Sequence, residues 1–392
     1  MIATAVVGVP AVLLFLCVGG QYFPLVGFSI AGAMASTRIF AVALIALSVT
    51  AAAGVLLAWS PSAGGWLVLA AAVLAFLGAA LNGVRQLRLA RRENVFVSLA
   101  SAIRRPQVDL TPDADEVYTT EGDQDLSLSV WRAVAPEGLA PVILMVHGGG
   151  WVAGDRNSGS TPRHARWFAD RGYLVMGVDY SLSSEERHLW DVQEGQIAEA
   201  IRWAVRNAHR FGGDPRRIAL VGESAGGNLV INVGSRIAAG EWVLESSGTP
   251  VVVSAISALY PATDLRAISD SPDLVLRKWL RSLVERYTGG SPDMYPERYD
   301  AVDSSTHIRS DTPPTLLAFG TRDHLVPPWT IRAYARRLRG AGVKVKTLEV
   351  PYSGHGFDEE GSIGCQVYRE VTLNWFASHV EAFCGIRSES GR

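Results

Sequence analysis

Negative charge is missing from the front of this sequence. No Asp or Glu occurs before Glu93, and from Met1 to Gly83 the only charged side chain is Arg38. A segment so poor in charge is neither a solvated tail nor a charged partner-binding arm. Lysine is scarce throughout. Lys278, Lys344 and Lys346 are the only lysines and none follows a glycine, which excludes a Walker A phosphate loop. Three cysteines in 392 residues exclude a disulfide-stapled scaffold, and the odd count suits a reducing compartment. With 36 Lys+Arg against 38 Asp+Glu, there is no positive excess for binding nucleic acid. At 48% hydrophobic and 19% charged residues the chain is not disordered, and it is too long for one ordinary domain.

The apolar front has internal order. Ile39 to Trp59 and Gly64 to Val84 are uncharged runs of 21 residues each. At ~1.5 Å per helical residue, each covers a hydrocarbon core of roughly 30 Å. Ser60-Pro61-Ser62-Ala63 between them is a short turn, so the pair reads as a transmembrane hairpin. Ile2 to Gly20 supplies a third span. Tyr22 to Ser36 is apolar but holds Pro24 and two glycines. It is read as an extension of the first span, a re-entrant segment or a fourth span. Buried helices of a soluble protein are disfavoured because several such runs stand together. A signal peptide cleaved after Ala33-Met34-Ala35 is disfavoured because no basic residue opens the chain. Residues 1–84 are therefore expected to hold about three transmembrane helices.

Arg85, Arg88, Arg91 and Arg92 come directly after the last span, with Arg104 and Arg105 beyond, whereas the loop at 60–65 has no charge. The positive-inside rule then puts everything after residue 84 on the cytoplasmic side, and a three-span arrangement puts Arg38 there too. Leu87, Leu89 and Val95 interleave the arginines, so 85–105 is expected to be a basic juxtamembrane segment lying on the membrane surface.

From about Pro106 to Ile386 short β-rich runs alternate with helical ones. Strands are expected at Leu126–Val134, Val142–Val146, Leu174–Val178, Ile218–Val221, Val251–Ala258, Thr315–Phe319 and Lys344–Val350, with Val117–Thr119 leading. Helices are expected at His164–Arg171, Asp191–Phe211, Ala225–Ala239, Leu274–Tyr287, Trp329–Arg339 and Gln366–Phe383. Several strands are continuous apolar runs, as strands covered on both faces should be. This alternation predicts an α/β domain with a mostly parallel sheet and helices on both sides. Residues 387–392 read as a polar tail.

Gly222-Glu223-Ser224-Ala225-Gly226 is a G-x-S-x-G string. It follows one expected strand and opens the next helix, as a nucleophile elbow requires. His147-Gly148-Gly149-Gly150-Trp151 follows the strand Val142–Val146, and its backbone N–H groups can converge on an oxyanion. Gly148, Gly150 and Ala153 also fit a dinucleotide fingerprint, but that needs a helix to begin at once, and here a polar stretch runs on to Pro162. A serine nucleophile needs an oriented base. Of eight histidines, His355 stands out, in a small-residue loop just after the last strand. Asp323 ends the preceding strand. The order Ser224, Asp323, His355, with gaps of 99 (323 − 224) and 32 (355 − 323), is that of the α/β-hydrolases.

These motifs, with Asp179-Tyr180, Phe211-Gly212-Gly213-Asp214-Pro215 and Tyr260-Pro261, resemble the hormone-sensitive-lipase-like group of α/β-hydrolase carboxylesterases over about Val142 to Phe383. The resemblance implies the α/β-hydrolase fold, Ser224 as nucleophile, His355 as base and Asp323 as acid. It implies an oxyanion hole from the N–H groups of Gly148, Gly149 and Ala225, and hydrolysis of carboxylic esters. Where relatives often continue Asp-Tyr-Arg-Leu-Ala-Pro-Glu, this chain has Asp179-Tyr180-Ser181-Leu182-Ser183-Ser184-Glu185. Most relatives lack several spans, although membrane-bound prenylcysteine methylesterases, similar to this group, carry them. A serine peptidase or acyltransferase of the same fold and an inactive membrane-tethered scaffold are the alternatives. No cofactor or metal is expected. The partners expected are the membrane and a small-molecule or lipid ester. A cap is expected at Arg266–Tyr299 with Val97–Thr111, and Trp151 and Trp279 are candidate acyl-pocket linings. The sequence carries no signal of oligomeric state.

Overall fold

The computed structural model describes residues 2–23, 27–103, 107–136, 138–246 and 248–381. Pro24, Arg104, Arg105, Pro106, the end of the last expected helix at 382–383, Ile386 and the expected tail at 387–392 lie outside that description. The chain forms two compact units, one of residues 1–107, 319–324 and 349–370, the other of residues 108–318, 325–348 and 371–392.

The first unit is dominated by helices. α1 (Ile2–Tyr22), α3 (Ile39–Trp59) and α4 (Ala63–Arg92) are long and apolar enough to cross a membrane. α2 (Phe28–Ser36) has nine residues. At ~1.5 Å per residue it reaches less than half of a hydrocarbon core, so the segment from Tyr22 is not a fourth span. A Cβ on Gly20 would lie 2.1 Å from the Phe28 carbonyl oxygen, and one on Gly32 would lie 2.5 Å from that of Cys17. Only glycines let α1 and α2 approach so closely. Ser62 caps α4, its hydroxyl accepting from the Gly65 N–H at 3.1 Å, which accounts for the tight turn after α3. α4 runs past the apolar stretch through all four arginines, because Arg, Gln, Leu and Ala sustain a helix whatever their polarity. A five-residue helix, α5 (Leu99–Ile103), comes next.

The sheet has eight strands: β1 (Ala114–Glu121), β2 (Gln124–Trp131), β3 (Ala140–Val146), β4 (Leu174–Val178), β5 (Gly213–Glu223), β6 (Val253–Leu259), β7 (Thr315–Gly320) and β8 (Val345–Val350). They lie in the order β1-β2-β4-β3-β5-β6-β7-β8. β2 is antiparallel to β1 and β4, and the neighbours from β4 through β3, β5 and β6 to β7 are parallel. β3, β4, β6 and β7 are buried along their whole length, as expected for β3 and β4 from their unbroken apolar sequences. The crossovers carry α6 (Thr161–Ala169), α7 (Gln193–Asn207) and α8 (Ala225–Ala238). Between β6 and β7 come α9 (Leu265–Ser269), α10 (Arg277–Thr288) and α11 (Pro296–Val302), and α12 (Pro328–Gly340) and α13 (Ile363–Phe376) complete the chain's α-helices among the described residues. This is the α/β-hydrolase fold expected from the sequence.

Four elements depart from expectation. The long helix expected from Asp191 to Phe211 ends at Asn207 and tightens into a 3₁₀ turn over Ala208–Phe211, closed by Gly212 at φ 83°. β5 starts at Gly213, well before Ile218, because Gly213 pairs with Ala140 across the sheet. α9 and α11, too short for helical periodicity to register, flank the expected cap helix.

Candidate active site

Ser224 sits between the end of β5 and the start of α8 with φ 54° and ψ −113°. A residue with a side chain pays on the order of 1–3 kcal/mol to remain there. The surroundings hold it. Its N–H donates to the Leu259 carbonyl (2.9 Å), and its carbonyl accepts from the N–H groups of Asn228 (3.1 Å) and Ala262 (3.2 Å). Both motif glycines are required by space. A Cβ on Gly222 would lie 2.3 Å from the Gly226 carbonyl oxygen, and one on Gly226 would lie 2.3 Å from that of Val146. Between residues 221 and 230, Ser224 alone is not fully buried. Ala225 comes next as the first residue of α8, whose N-terminus carries unpaired N–H groups and positive dipole character.

The glycine loop lies against this turn. A Cβ on Gly148 would be 3.1 Å from the Glu223 carbonyl oxygen and 3.3 Å from Ser224 Cβ. The chain then takes φ values of 125°, 61° and 63° at Gly149, Gly150 and Trp151. The N–H groups of Val152 and Ala153 fold back onto the Gly149 carbonyl (3.2 and 3.1 Å). No helix opens before Thr161, so a dinucleotide fingerprint has no helix N-terminus to serve it.

His147 belongs to the scaffold of this loop. Its ring stacks on Tyr180 with centroids 4.4 Å apart, and its Nδ1–H donates to the Gly148 carbonyl at 2.7 Å. Burial pushes its pKa below the ordinary histidine value, so it stays neutral. The Tyr180 hydroxyl donates to the His147 carbonyl (3.1 Å), and Asp179 pairs with Arg156. Sequence reasoning named the Asp179-Tyr180 dipeptide but missed this bracing role. It also missed Gly154, where a Cβ would meet the Gly148 carbonyl oxygen at 2.7 Å. Backbone bonds at residues 181 and 183 tie their loop in place. Gln193 and Gln196 of α7 bond to the Ser181 backbone, and the Ser183 N–H donates to the Trp151 carbonyl.

Trp151 is buried in a stack with Tyr287 of α10 (4.7 Å, 5°), and Trp279 is half exposed. Leu283 of α10 reaches the glycine loop, with its Cδ1 3.2 Å from where a Gly150 Cβ would be.

In the first unit, Asp323 and His355 form a pair, Nδ1 of the imidazole lying 2.7 Å from Oδ2 of the carboxylate. The Asp323 side chain is fully buried and the His355 ring is 17% exposed. Two adjoining loops set that distance. The Arg322 N–H donates to the Ser353 carbonyl (2.9 Å) and the Thr321 N–H to that of Val350 (3.0 Å). A Cβ on Gly320 would lie 2.2 Å from the Ser353 carbonyl oxygen. By contrast, His188, His307 and His379 are engaged with backbone carbonyls at 2.8 Å. The expected site residues thus gather in two groups: Ser224, Gly148, Gly149 and Ala225 in one unit, and Asp323 with His355 in the other.

Comparison with known proteins places the chain in a family. The BD-FAE family model matches residues 128–338, more than half of the chain. The esterase LipC of Mycobacterium tuberculosis is 31% identical over 234 residues, 59% of this chain and 57% of that protein. The probable carboxylic ester hydrolase LipM of the same organism is 27% identical over 292 residues, 72% of this chain and 64% of that protein. The ethyl acetate hydrolase of Pseudomonas putida is 28% identical over 260 residues, 64% of this chain and 77% of that protein. The chain therefore spans less than two thirds of the length of the two mycobacterial relatives. Among solved structures, the butyrate-bound Est2 esterase of Thermogutta terrifontis is similar with a TM-score of 0.54 and 25% identity, covering 69% of this chain and 95% of that one.

Proposed function

Because the chain belongs to the BD-FAE family, we propose that it is a serine carboxylesterase anchored in a membrane by its N-terminal helices. Ser224 Oγ attacks the acyl carbonyl while His355 Nε2 takes its proton. Asp323 accepts the Nδ1–H bond, which fixes the tautomer and stabilises the imidazolium. The N–H groups of Gly148, Gly149 and Ala225 receive the oxyanion. The alcohol leaves with the proton from His355. Water, activated by the same imidazole, then releases the acid from the acyl-enzyme. No step draws on a cofactor.

The observation that carries this reading is the strained backbone of Ser224, held against the backbone of Gly148. A turn of that kind costs stability and is worth keeping where a hydroxyl must be presented beside backbone donors. The relatives' names, esterase and carboxylic ester hydrolase, support carboxylic esters as the substrate class. The lengths of α1, α3 and α4 support anchoring. Arg85, Arg88, Arg91 and Arg92 at the end of α4 support a cytoplasmic location for the hydrolase domain. An ester that partitions into the bilayer surface is the substrate such an anchored enzyme would meet.

The test is turnover of p-nitrophenyl butyrate by full-length protein in detergent. Ser224→Ala should lose at least about 10³-fold in kcat while its melting transition persists. Wild-type turnover by Ser224→Ala would overturn the assignment.

A further inference from the structure

We propose that the helical bundle positions the catalytic base: Gln21, Ser36, Asn82 and Gln86 form a buried polar cluster that holds the loop carrying His355. The inference rests on the reading of His355 as base given above.

The cluster is unusual for its surroundings. All four residues are buried to 1% exposure or less, Gln21 near the end of α1, Ser36 at the end of α2, and Asn82 and Gln86 in α4. Buried amides and hydroxyls of this kind cost free energy unless they find partners. Here, apart from Gln21 Nε2, they find each other. Asn82 Nδ2 donates to Gln21 Oε1 (2.8 Å) and Ser36 Oγ (2.9 Å). Gln86, one turn further along α4, places Nε2 within reach of Ser36 Oγ (3.0 Å), the Ser36 carbonyl (3.1 Å) and Asn82 Oδ1 (3.2 Å), which share its two N–H groups.

The network does not close within the bundle. Ser36 Oγ lies 3.2 Å from the hydroxyl of Ser353, itself 1% exposed, and Gln86 Nε2 reaches Ser353 Oγ and the Pro351 carbonyl at 3.5 Å. Ser353 is two residues before His355. At Gly354, adjacent to the base, an added Cβ would stand 3.0 Å from Ala33 of α2. On the far side of His355, Glu359 pairs with Arg38 (2.9 Å) and accepts from the Thr37 hydroxyl (3.3 Å). The acid's loop is tied to the same helices. Arg322, beside Asp323, donates to the Tyr22 carbonyl (3.0 Å), and the Tyr22 ring packs on Tyr352 at 4.7 Å.

Both halves of the acid–base pair are therefore flanked by contacts with helices that a simple anchor would not need to touch. A cluster serving helix association alone would end on helix partners. This one ends on the loop. Ser36, Asn82, Gln86 and Ser353 are positioning residues, since none touches the reacting atoms.

The test uses full-length protein in detergent. Gln86→Met keeps the side-chain volume but removes the donor, and Ser353→Ala removes a single oxygen, so one variant stays informative if the other folds poorly. Expected for each is a fall in kcat on the order of 10- to 100-fold with KM little changed. The pKa on the acidic limb of the kcat/KM profile should move, and Ser224 should react more slowly with a fluorophosphonate. Ser353→Thr, which keeps the hydroxyl, should recover most of the loss. Wild-type kcat and an unmoved pH profile in both variants would overturn the inference, even if their melting temperatures fall. Ser224→Ala run in parallel separates the two readings. If it is inactive while Gln86→Met and Ser353→Ala match wild type, only the positioning role fails. If it is active, both fail.

Discussion

Ser224 holds a backbone conformation that glycine would adopt freely, yet glycine would bring no hydroxyl. The neighbours supply the space instead, through Gly222 and Gly226, whose missing Cβ atoms would collide with backbone oxygens. These requirements are legible in sequence, because G-x-S-x-G between a strand and a helix has few other uses. His147 is the opposite case. Its position beside three glycines suggests chemistry, but it is buried in a stack on Tyr180, and the burial lowers its pKa. That gives a pH prediction. The unfolded imidazole takes up a proton as pH falls through about 6.5, whereas the folded one resists until lower pH. Its share of stability is complete above about pH 6.5 and is lost as pH falls from there through the folded value. Melting of wild type and His147→Gln between pH 7.5 and 5 checks this. The wild type should lose more stability with acidification, and parallel curves would contradict the assigned burial effect.

Strands covered on both faces announce themselves as apolar runs, and Leu174–Val178 was legible to the residue. β5 was legible only in its apolar half. Its polar start, Gly213 to Arg217, is held by pairing with Ala140, a long-range contact that no local pattern encodes. The continuation of α4 through its arginines was hidden for a related reason, since hydropathy changes at Val84 while helix propensity does not. The polar cluster of the bundle was the least legible part. Gln21, Ser36 and Asn82 read as tolerated interruptions in apolar runs until their partners are known. Helix α10 carries a prediction of its own. Leu283 packs against Gly150 of the glycine loop, so Leu283→Ala should make room beside it. The ratio of kcat/KM for p-nitrophenyl octanoate over butyrate should rise by a few-fold to roughly tenfold. An unchanged ratio would remove Leu283 from the determinants of chain length.

The chain divides into units that do not keep to the order of the sequence. The segments bearing Asp323 and His355, 319–324 and 349–370, belong with residues 1–107 and not with the rest of the hydrolase sequence. A detachable anchor would leave the enzyme intact when removed. Here, deletion of residues 1–84 would uncover Ser353 and Gly354 and delete Tyr22, Ser36, Arg38, Asn82 and their contacts. The truncated chain should therefore lose most of its kcat even when kept dispersed in detergent, and full retention of kcat would show the helices to be only an anchor. The proposed chemistry turns on a covalent acyl-enzyme at one serine. Rapid acid quenching during turnover of p-nitrophenyl butyrate, then peptide mass analysis, tests that most directly. A butyryl group should appear on Ser224 and vanish in Ser224→Ala. Turnover with the acyl group on another residue, or with none trapped at any time, would contradict the mechanism.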